Sequence, residues 1–458
     1  MQESIAIYSP QRAEAARQIN RLIMLVFVLM IFDGSLRKWV LPSLSTPLLM
    51  IKDGVVAIIY WKALRNRLFP NDFLARMAYI ISGIFIVIAI IQLYQLALPY
   101  FPVIYGYRNY FFLMPLAFIM QQTLEWEDIK KYGRLVCLLA IPSAILVVIQ
   151  SKSPDTAYIN RSVGGEDQQM IFTVVAGVVR PYGFFSFTNG HAHFTALALA
   201  MVLSNFVLPR NERFVPTTLG LICLGAALAN VAVSGSRTNF LLSALVGASL
   251  VGSGFFIGRS ALGAKIVFFS MVGAIVGGVL VSMVFSENLG HMMDRQERAG
   301  KKEGGIMNRI IRDNFAVFQM APRELPVLGV GLGVGSAAAT KISNLQKLTV
   351  YTESEWLRIV IEAGLFFGFF YIIFRLGIAL FLLYQAVKVL WIFKSPLMLV
   401  VLTSIFQTLV TGQMTFNNTA CYFGWFTIGL CLAILKIFRE SEAYPYQQSF
   451  QPPQPELA

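Results

Sequence analysis

Charge is scarce in this chain. Lys, Arg, Asp and Glu make up 13% of its 458 residues, about half the share found in soluble domains. That excludes an ordinary soluble fold and leaves no stretch for a soluble catalytic domain. Histidine is scarcer still, with three copies at His191, His193 and His291. The first two flank a single residue and so do not share a helical face, which argues against a zinc set. The four cysteines (Cys137, Cys223, Cys421, Cys431) lie in or beside apolar runs. They are expected to be buried thiols, outside any disulfide framework or metal spacing. The Asp-x-Asp pattern does not occur, so neither a metal nor another cofactor is expected. Internal repeats are missing too, and so are the alternating segments of about ten residues that build membrane barrels.

What is abundant is apolar sequence. Hydrophobic residues reach 56% and mean hydropathy is +0.65. Runs of about 20 residues recur, each able to cross a hydrocarbon core of about 30 Å. The expected fold class is all-α: a polytopic membrane protein with about twelve spans, near 19–32, 46–61, 77–98, 103–120, 133–150, 192–208, 215–233, 239–257, 264–285, 362–386, 395–413 and 418–437. Pro42 and Pro47 predict a tight or re-entrant turn after the first span. The polar 1–20 segment carries no cleavable signal pattern, so the first span is expected to act as its own anchor.

The net charge of +13 sits in short blocks between apolar runs. That distribution excludes a nucleic-acid-binding face and serves instead to orient the spans. Lys62, Arg65, Arg67 and Arg76 follow the second span, Lys130, Lys131 and Arg134 the fourth, and Arg210 and Arg213 the sixth. Arg259 and Lys265 follow the eighth, Lys388 and Lys394 the tenth, and Lys436 and Arg439 the last. Alternate loops are therefore basic, which predicts cytoplasmic termini. Arg37 and Lys38 are the exception. Two long outer intervals remain, 151–191 and 287–355, the latter with nine Lys/Arg against eight Asp/Glu. Residues 1–440 read as one transmembrane domain and 441–458 as a disordered, Pro- and Gln-rich cytoplasmic tail.

Candidate chemistry concentrates at the outer boundary. Ser234-Gly235-Ser236-Arg237 separates two spans and places Arg237 at a helix start, as an anion site or as an Arg that snorkels to lipid phosphate. Arg309 and Arg312 share a face of an amphipathic segment around Ile310, Ile311, Phe315, Val317 and Phe318. Pro326-Val-Leu-Gly-Val-Gly-Leu-Gly-Val-Gly lacks the preceding strand and following Lys-Ser/Thr of phosphate loops. It is expected to pack backbone closely or to offer N–H groups to an anion. Glu353 and Glu355 open a helix, where the dipole favours them. Glu362 lies deeper and needs a partner or water. Arg180 and Arg108 add further boundary Arg residues, Tyr182 lies among aromatics suited to sugar faces or to the membrane interface, and Trp356 follows Glu355 in the helix-opening motif.

With these residues the chain resembles the O-antigen ligase / O-antigen polymerase superfamily of bacterial envelope glycosyltransferases. The match lies in an order of features: about twelve spans, a short Ser-Arg turn (Arg237), then a long late loop. Within that loop come an Arg-led helix (Arg309-Ile310), Pro-x-x-Gly-x-Gly-x-Gly (Pro326–Gly333) and Leu-x-x-x-x-Glu-x-Gly (Leu357–Gly364). The resemblance implies a GT-C-like, metal-independent enzyme of the bacterial inner membrane with a periplasmic active face. Its donor would be a polyprenyl-diphosphate-linked oligosaccharide, and its partners a chain-length regulator and a flippase. Arg237 with Arg309 or Arg312 would bind the diphosphate, and Glu353 or Glu355 would act as base. Arg180, Tyr182, Arg108 and Trp356 would shape the glycan cleft. Ligases of the family carry His-Asn ahead of the aromatic-Leu pair. Here Glu353-Ser354-Glu355-Trp356-Leu357 stands in that place, which favours a polymerase over a ligase. A flippase would carry charges along its spans, and these spans read as nearly charge-free.

Overall fold

The computed structural model describes residues 10–96, 98–163, 179–257, 263–264, 268, 315–320, 325–335 and 354–443. Apart from 264 and 268, the expected 264–285 span lies outside them, as do the 441–458 tail beyond Ala443, and Arg309, Arg312 and Glu353. The described elements are helical, with no β-strand among them. In chain order they are α1 (Pro10–Ser35), α2 (Ser45–Arg65), α3 (Phe73–Gln95), α4 (Tyr100–Tyr107), α5 (Met114–Thr123), α6 (Trp126–Lys152) and α7 (Thr188–Val207). There follow α8 (Thr217–Val233), α9 (Arg237–Ile257), α10 (Glu355–Ala363), α11 (Leu365–Phe393), α12 (Leu397–Thr411) and α13 (Asn418–Ala443).

Among the described residues eight helices are long and apolar enough to cross a membrane, and α8 and α12 are shorter apolar helices. Among the described residues the expected count of about twelve spans is not reached. One reason is the 103–120 region. There α4 passes into a π-helical turn at Arg108–Phe112 before α5 restarts with Pro115 in its first turn. Proline lacks an N–H to continue the ladder, and a π turn redirects side chains locally. A second departure is at the expected 362–386 span. The helix breaks at Gly364, where φ is +93° and an added Cβ would run into the carbonyl oxygen of Val327. Glu362 therefore belongs to the separate helix α10.

The core is built around α7 and α13. In α7 94% of the apolar window is buried and in α13 83%, against 28–44% in the other six long helices. Helices apolar on all sides belong inside a bundle. Phe27 of α1 stacks on Phe426 of α13 at 4.6 Å, and Tyr132 of α6 meets both rings edge-on at 5.3 Å. Outer faces expose Ile80, Val87, Phe255, Phe256, Ile373 and Leu380, an apolar exterior that suits a bilayer better than water.

The basic turns gather at one end. Asn20 donates to the Thr123 carbonyl and to Asp128, Lys62 to Gln18, and Lys436 to the Gln122 carbonyl. Trp126 bonds Glu212 there. The opposite end carries the α8–α9 turn, α10 and the 412–417 connection. Gly364→Ala should destabilise the protein by about 1–3 kcal/mol, the scale of a strained residue at positive φ. Thermal unfolding of the detergent-solubilised chain would register this as an earlier transition.

Candidate functional site

Four polar assemblies crowd the end opposite the basic turns. The first surrounds the α8–α9 turn. Ser234 Oγ donates to the Val231 carbonyl at 2.8 Å and accepts from the Ser236 N–H at 3.3 Å. Arg180 Nη2 donates to the Gly235 carbonyl at 3.1 Å, so Arg180 and Arg237 flank one short turn. Behind them Asn230 joins four helices. Its Oδ1 accepts from Ser143 Oγ and His191 Nε2, its Nδ2 donates to the Ala140 carbonyl, and its own carbonyl receives Asn239 Nδ2. Arg237 is half-buried and has no ion pair or hydrogen bond to another described residue.

The second assembly centres on Asp53 of α2. Arg108 grips it with two bonds, Nε at 2.9 Å and Nη2 at 2.6 Å, and Tyr422 donates to it at 2.5 Å. The third guanidinium nitrogen, Nη1, donates to Asn109 and Asn418. The adjacent residue of α2, Lys52, pairs with Asp33 of α1 at 3.0 Å. Arg37 reaches Asp33 at 3.6 Å and donates to the Ser45 carbonyl. Lys38 is fully buried. It donates to the carbonyls of Gly183 and Phe185 and lies 4.2 Å from the rings of both Trp39 and Tyr182. The Arg37-Lys38 exception to the charge rule is thus a pair of cations consumed by the fold. Asp33, Lys52, Asp53 and Arg375 also correct the reading of the spans as nearly charge-free.

Glu355 anchors the third assembly. Its Oε1 accepts from Arg375 Nη1 at 3.2 Å and from the Thr415 N–H and Oγ1 at 2.7 and 2.9 Å. Arg375 spends its remaining donors on the carbonyls of Thr408, Leu409 and Gly412 at the end of α12, where a cation complements the helix dipole. Glu355 Oε2 accepts no hydrogen bond among the described residues and lies 3.9 Å from Arg358 Nη1. Arg358 stacks 3.8 Å over the Phe416 ring. Trp356 donates to the Val410 carbonyl, and Phe315 and Phe318 cover its ring.

The glycine stretch forms the fourth. It straps the α10–α11 junction: Leu365 N–H bonds Pro326 O and Val330 N–H bonds Ile361 O. Gln92 clamps its middle through Leu328 O and Leu332 N–H. The anion that its N–H groups bind is the chain's own Glu362. Oε2 accepts from Gly333 N–H at 3.2 Å and Tyr110 at 3.0 Å, and Oε1 accepts from Gly335 N–H at 3.1 Å. Gly333 sits at φ +76° against Gly106, backbone on backbone, where neither position has room for a Cβ.

Of the residues singled out from the sequence, Arg180 and Arg237 meet at one turn. Arg108, Glu355 and Trp356 face internal partners, and Tyr182 bonds the carbonyls of Asn160 and Arg161. Sequence reading missed Asp53, Gln92, Asn230 and Arg375. Each is a polar residue in an apolar run, which is itself a signal of function or of buried pairing.

Two outcomes follow from this geometry. Asp53→Ala should cost about 3–5 kcal/mol because it strands a buried guanidinium. The Asp53→Ala/Arg108→Ala double variant should lose less than the sum of the singles in a thermal-unfolding cycle. For Glu362, burial pushes the carboxyl up to about 7 from its ordinary 4.5, against the opposing pull of Arg358 and its N–H donors. The folded state then holds a proton that the unfolded chain has already released. Stability should fall as pH rises from about 4.5 to about 7 and level off above. Thermal midpoints measured across that range should lose this slope in Glu362→Gln.

Comparison with family models, with curated proteins and with solved structures returns no match, so geometry alone bears on what this end of the bundle does.

Proposed function

We propose that the protein is a membrane polysaccharide polymerase. It transfers a growing glycan from a polyprenyl diphosphate to a sugar hydroxyl of the next lipid-linked repeat unit, in exopolysaccharide or O-antigen assembly. The observation that carries this reading is a contrast among cations at one end of the bundle. Arg108, Lys52 and Arg375 each have a carboxylate. Arg237, at the same end and half-buried, has none among the described residues, and Arg180 stands beside it on the Gly235 carbonyl. An arginine pair at a helix start suits a diphosphate, which takes bidentate donors.

In this mechanism the acceptor hydroxyl attacks the anomeric carbon of the donor glycan. The bond to the diphosphate oxygen breaks, and Arg237, with Arg309 or Arg312, stabilises the charge left on the leaving group. Glu353 or Glu355 takes the hydroxyl proton or orients the acceptor. For Glu355 the available atom is Oε2, since Oε1 is saturated by Arg375 and Thr415. The finer expectations belong to this proposal as well: about twelve spans in a GT-C-like arrangement, both termini cytoplasmic, and a periplasmic active face in the inner membrane. A flippase would carry unpaired charges along its axis. Here Asp33, Lys52, Asp53, Arg108, Glu355 and Arg375 are paired near one end, which favours the enzyme.

Purified protein given a lipid-linked repeat unit should make longer glycan, and chelator should leave the yield unchanged. Arg237→Ala should lower the rate by about 100-fold or more, the scale of removing one donor to a developing charge, with membrane insertion intact. Translocation of the lipid with no chain extension would sink the enzyme reading.

A further inference from the structure

At the basic end, far from the arginine turn, the bundle opens a cavity of about 840 Å³, within the range of about 300–1,000 Å³ common for ligand sites. Its walls are apolar: Val207, Leu208, Phe393, Leu397, Ile437 and Phe438. Its rim is cationic, with Arg210, Arg213 and Lys394. The acid at the rim, Glu212, is already engaged by the Trp126 indole N–H and by Lys130 at 3.5 Å. Arg213 donates to Thr217 at 2.5 Å and to the Leu208 carbonyl. Arg210 and Lys394 are exposed and make no ion pair or hydrogen bond to another described residue. Lys394 holds a left-handed backbone at φ +53° at the end of α11, a conformation uncommon outside glycine and asparagine. Trp391 and Ile392, which precede Phe393 in α11, are both exposed on the apolar exterior of the bundle.

We propose that this cavity binds an anionic glycerophospholipid of the leaflet at the basic end. The phosphate sits between Arg210 and Lys394, and one acyl chain enters along Phe393 and Phe438. Two observations select this occupant. The free charge of the rim is positive once Glu212 is paired, which matches an acidic headgroup. The wall residue Phe393 directly follows the exposed apolar Trp391 and Ile392 in α11, which gives an acyl chain an apolar approach from the bilayer. Basic pockets between helices near the cytoplasmic leaflet recognise acidic lipids by the same physics. The site requires only that the bundle spans a bilayer and is independent of the polymerase reading.

The test uses the full-length protein in nanodiscs of phosphatidylcholine, with either phosphatidylglycerol or further phosphatidylcholine brominated on its acyl chains. Subtracting the Trp126→Phe variant isolates the fluorescence of Trp126, which lines the cavity. Brominated phosphatidylglycerol should quench that component at a roughly 30-fold lower mole fraction than brominated phosphatidylcholine, the effect of two cations near a membrane surface. Native mass spectrometry of wild type should retain phosphatidylglycerol in preference to phosphatidylcholine. The Arg210→Glu/Lys394→Glu variant should lose both preferences; its two side chains hold nothing else in place, so its fold should survive. Equal quenching and equal retention of the two lipids by wild type would overturn the proposal, as would a preference that persists in the charge-reversed variant.

Discussion

A carboxylate moved out of water must meet donors, and three of them organise one end of this bundle. Asp53 meets Arg108 and Tyr422, Glu355 meets Arg375 and Thr415, and Glu362 meets Tyr110 and two glycine N–H groups. An unmet buried charge costs several kcal/mol. The helices bearing these groups are therefore locked in mutual register. α2 cannot shift without Arg108 and α13, and α10 cannot shift without α11, α12 and the glycine strap. Apolar packing sets which faces meet, and the carboxylates set how far each helix slides.

That rigidity gives the α8–α9 turn its interest. Asn230 ties the turn to α6 and α7 through its amide, so Arg237 and Arg180 are held on a fixed frame. Most cations around them are neutralised within the fold. Under the proposed transfer reaction, an anion arriving here would find its donors already in position, which is what electrostatic stabilisation of a leaving group needs.

The apolar runs announced the helices, because length and hydropathy suffice for that. The interruptions were less visible. Gly364 stands in a run that reads as one span, and only the approach of Val327 explains the break. Arg108, which opens the π turn, pairs with Asp53 across 55 residues, and Tyr422 reaches the same carboxylate across 369. Pairings that distant leave no local pattern, so Arg108 read as a boundary residue open to glycan. Glu362 was legible as a buried carboxylate in need of a partner, and the glycine stretch as an array of N–H donors. That each answers the other was not, since composition cannot say which anion a nest will hold. Arg237 and Arg180 were each legible as boundary arginines, and only the folded chain brings them to one turn.

Lys38 carries a consequence for the order of assembly. Its ammonium ends between the carbonyls of Gly183 and Phe185, 145 and 147 residues downstream. A ribosome adding about 5–20 residues per second needs roughly 7–30 s to supply them. Until then the end of α1 has a cation with no seat, which keeps it at the aqueous boundary. Burial of Lys38 therefore cannot precede synthesis of Gly183 and Phe185, so the end of the first helix closes onto the bundle only once the segment leading into α7 has been made.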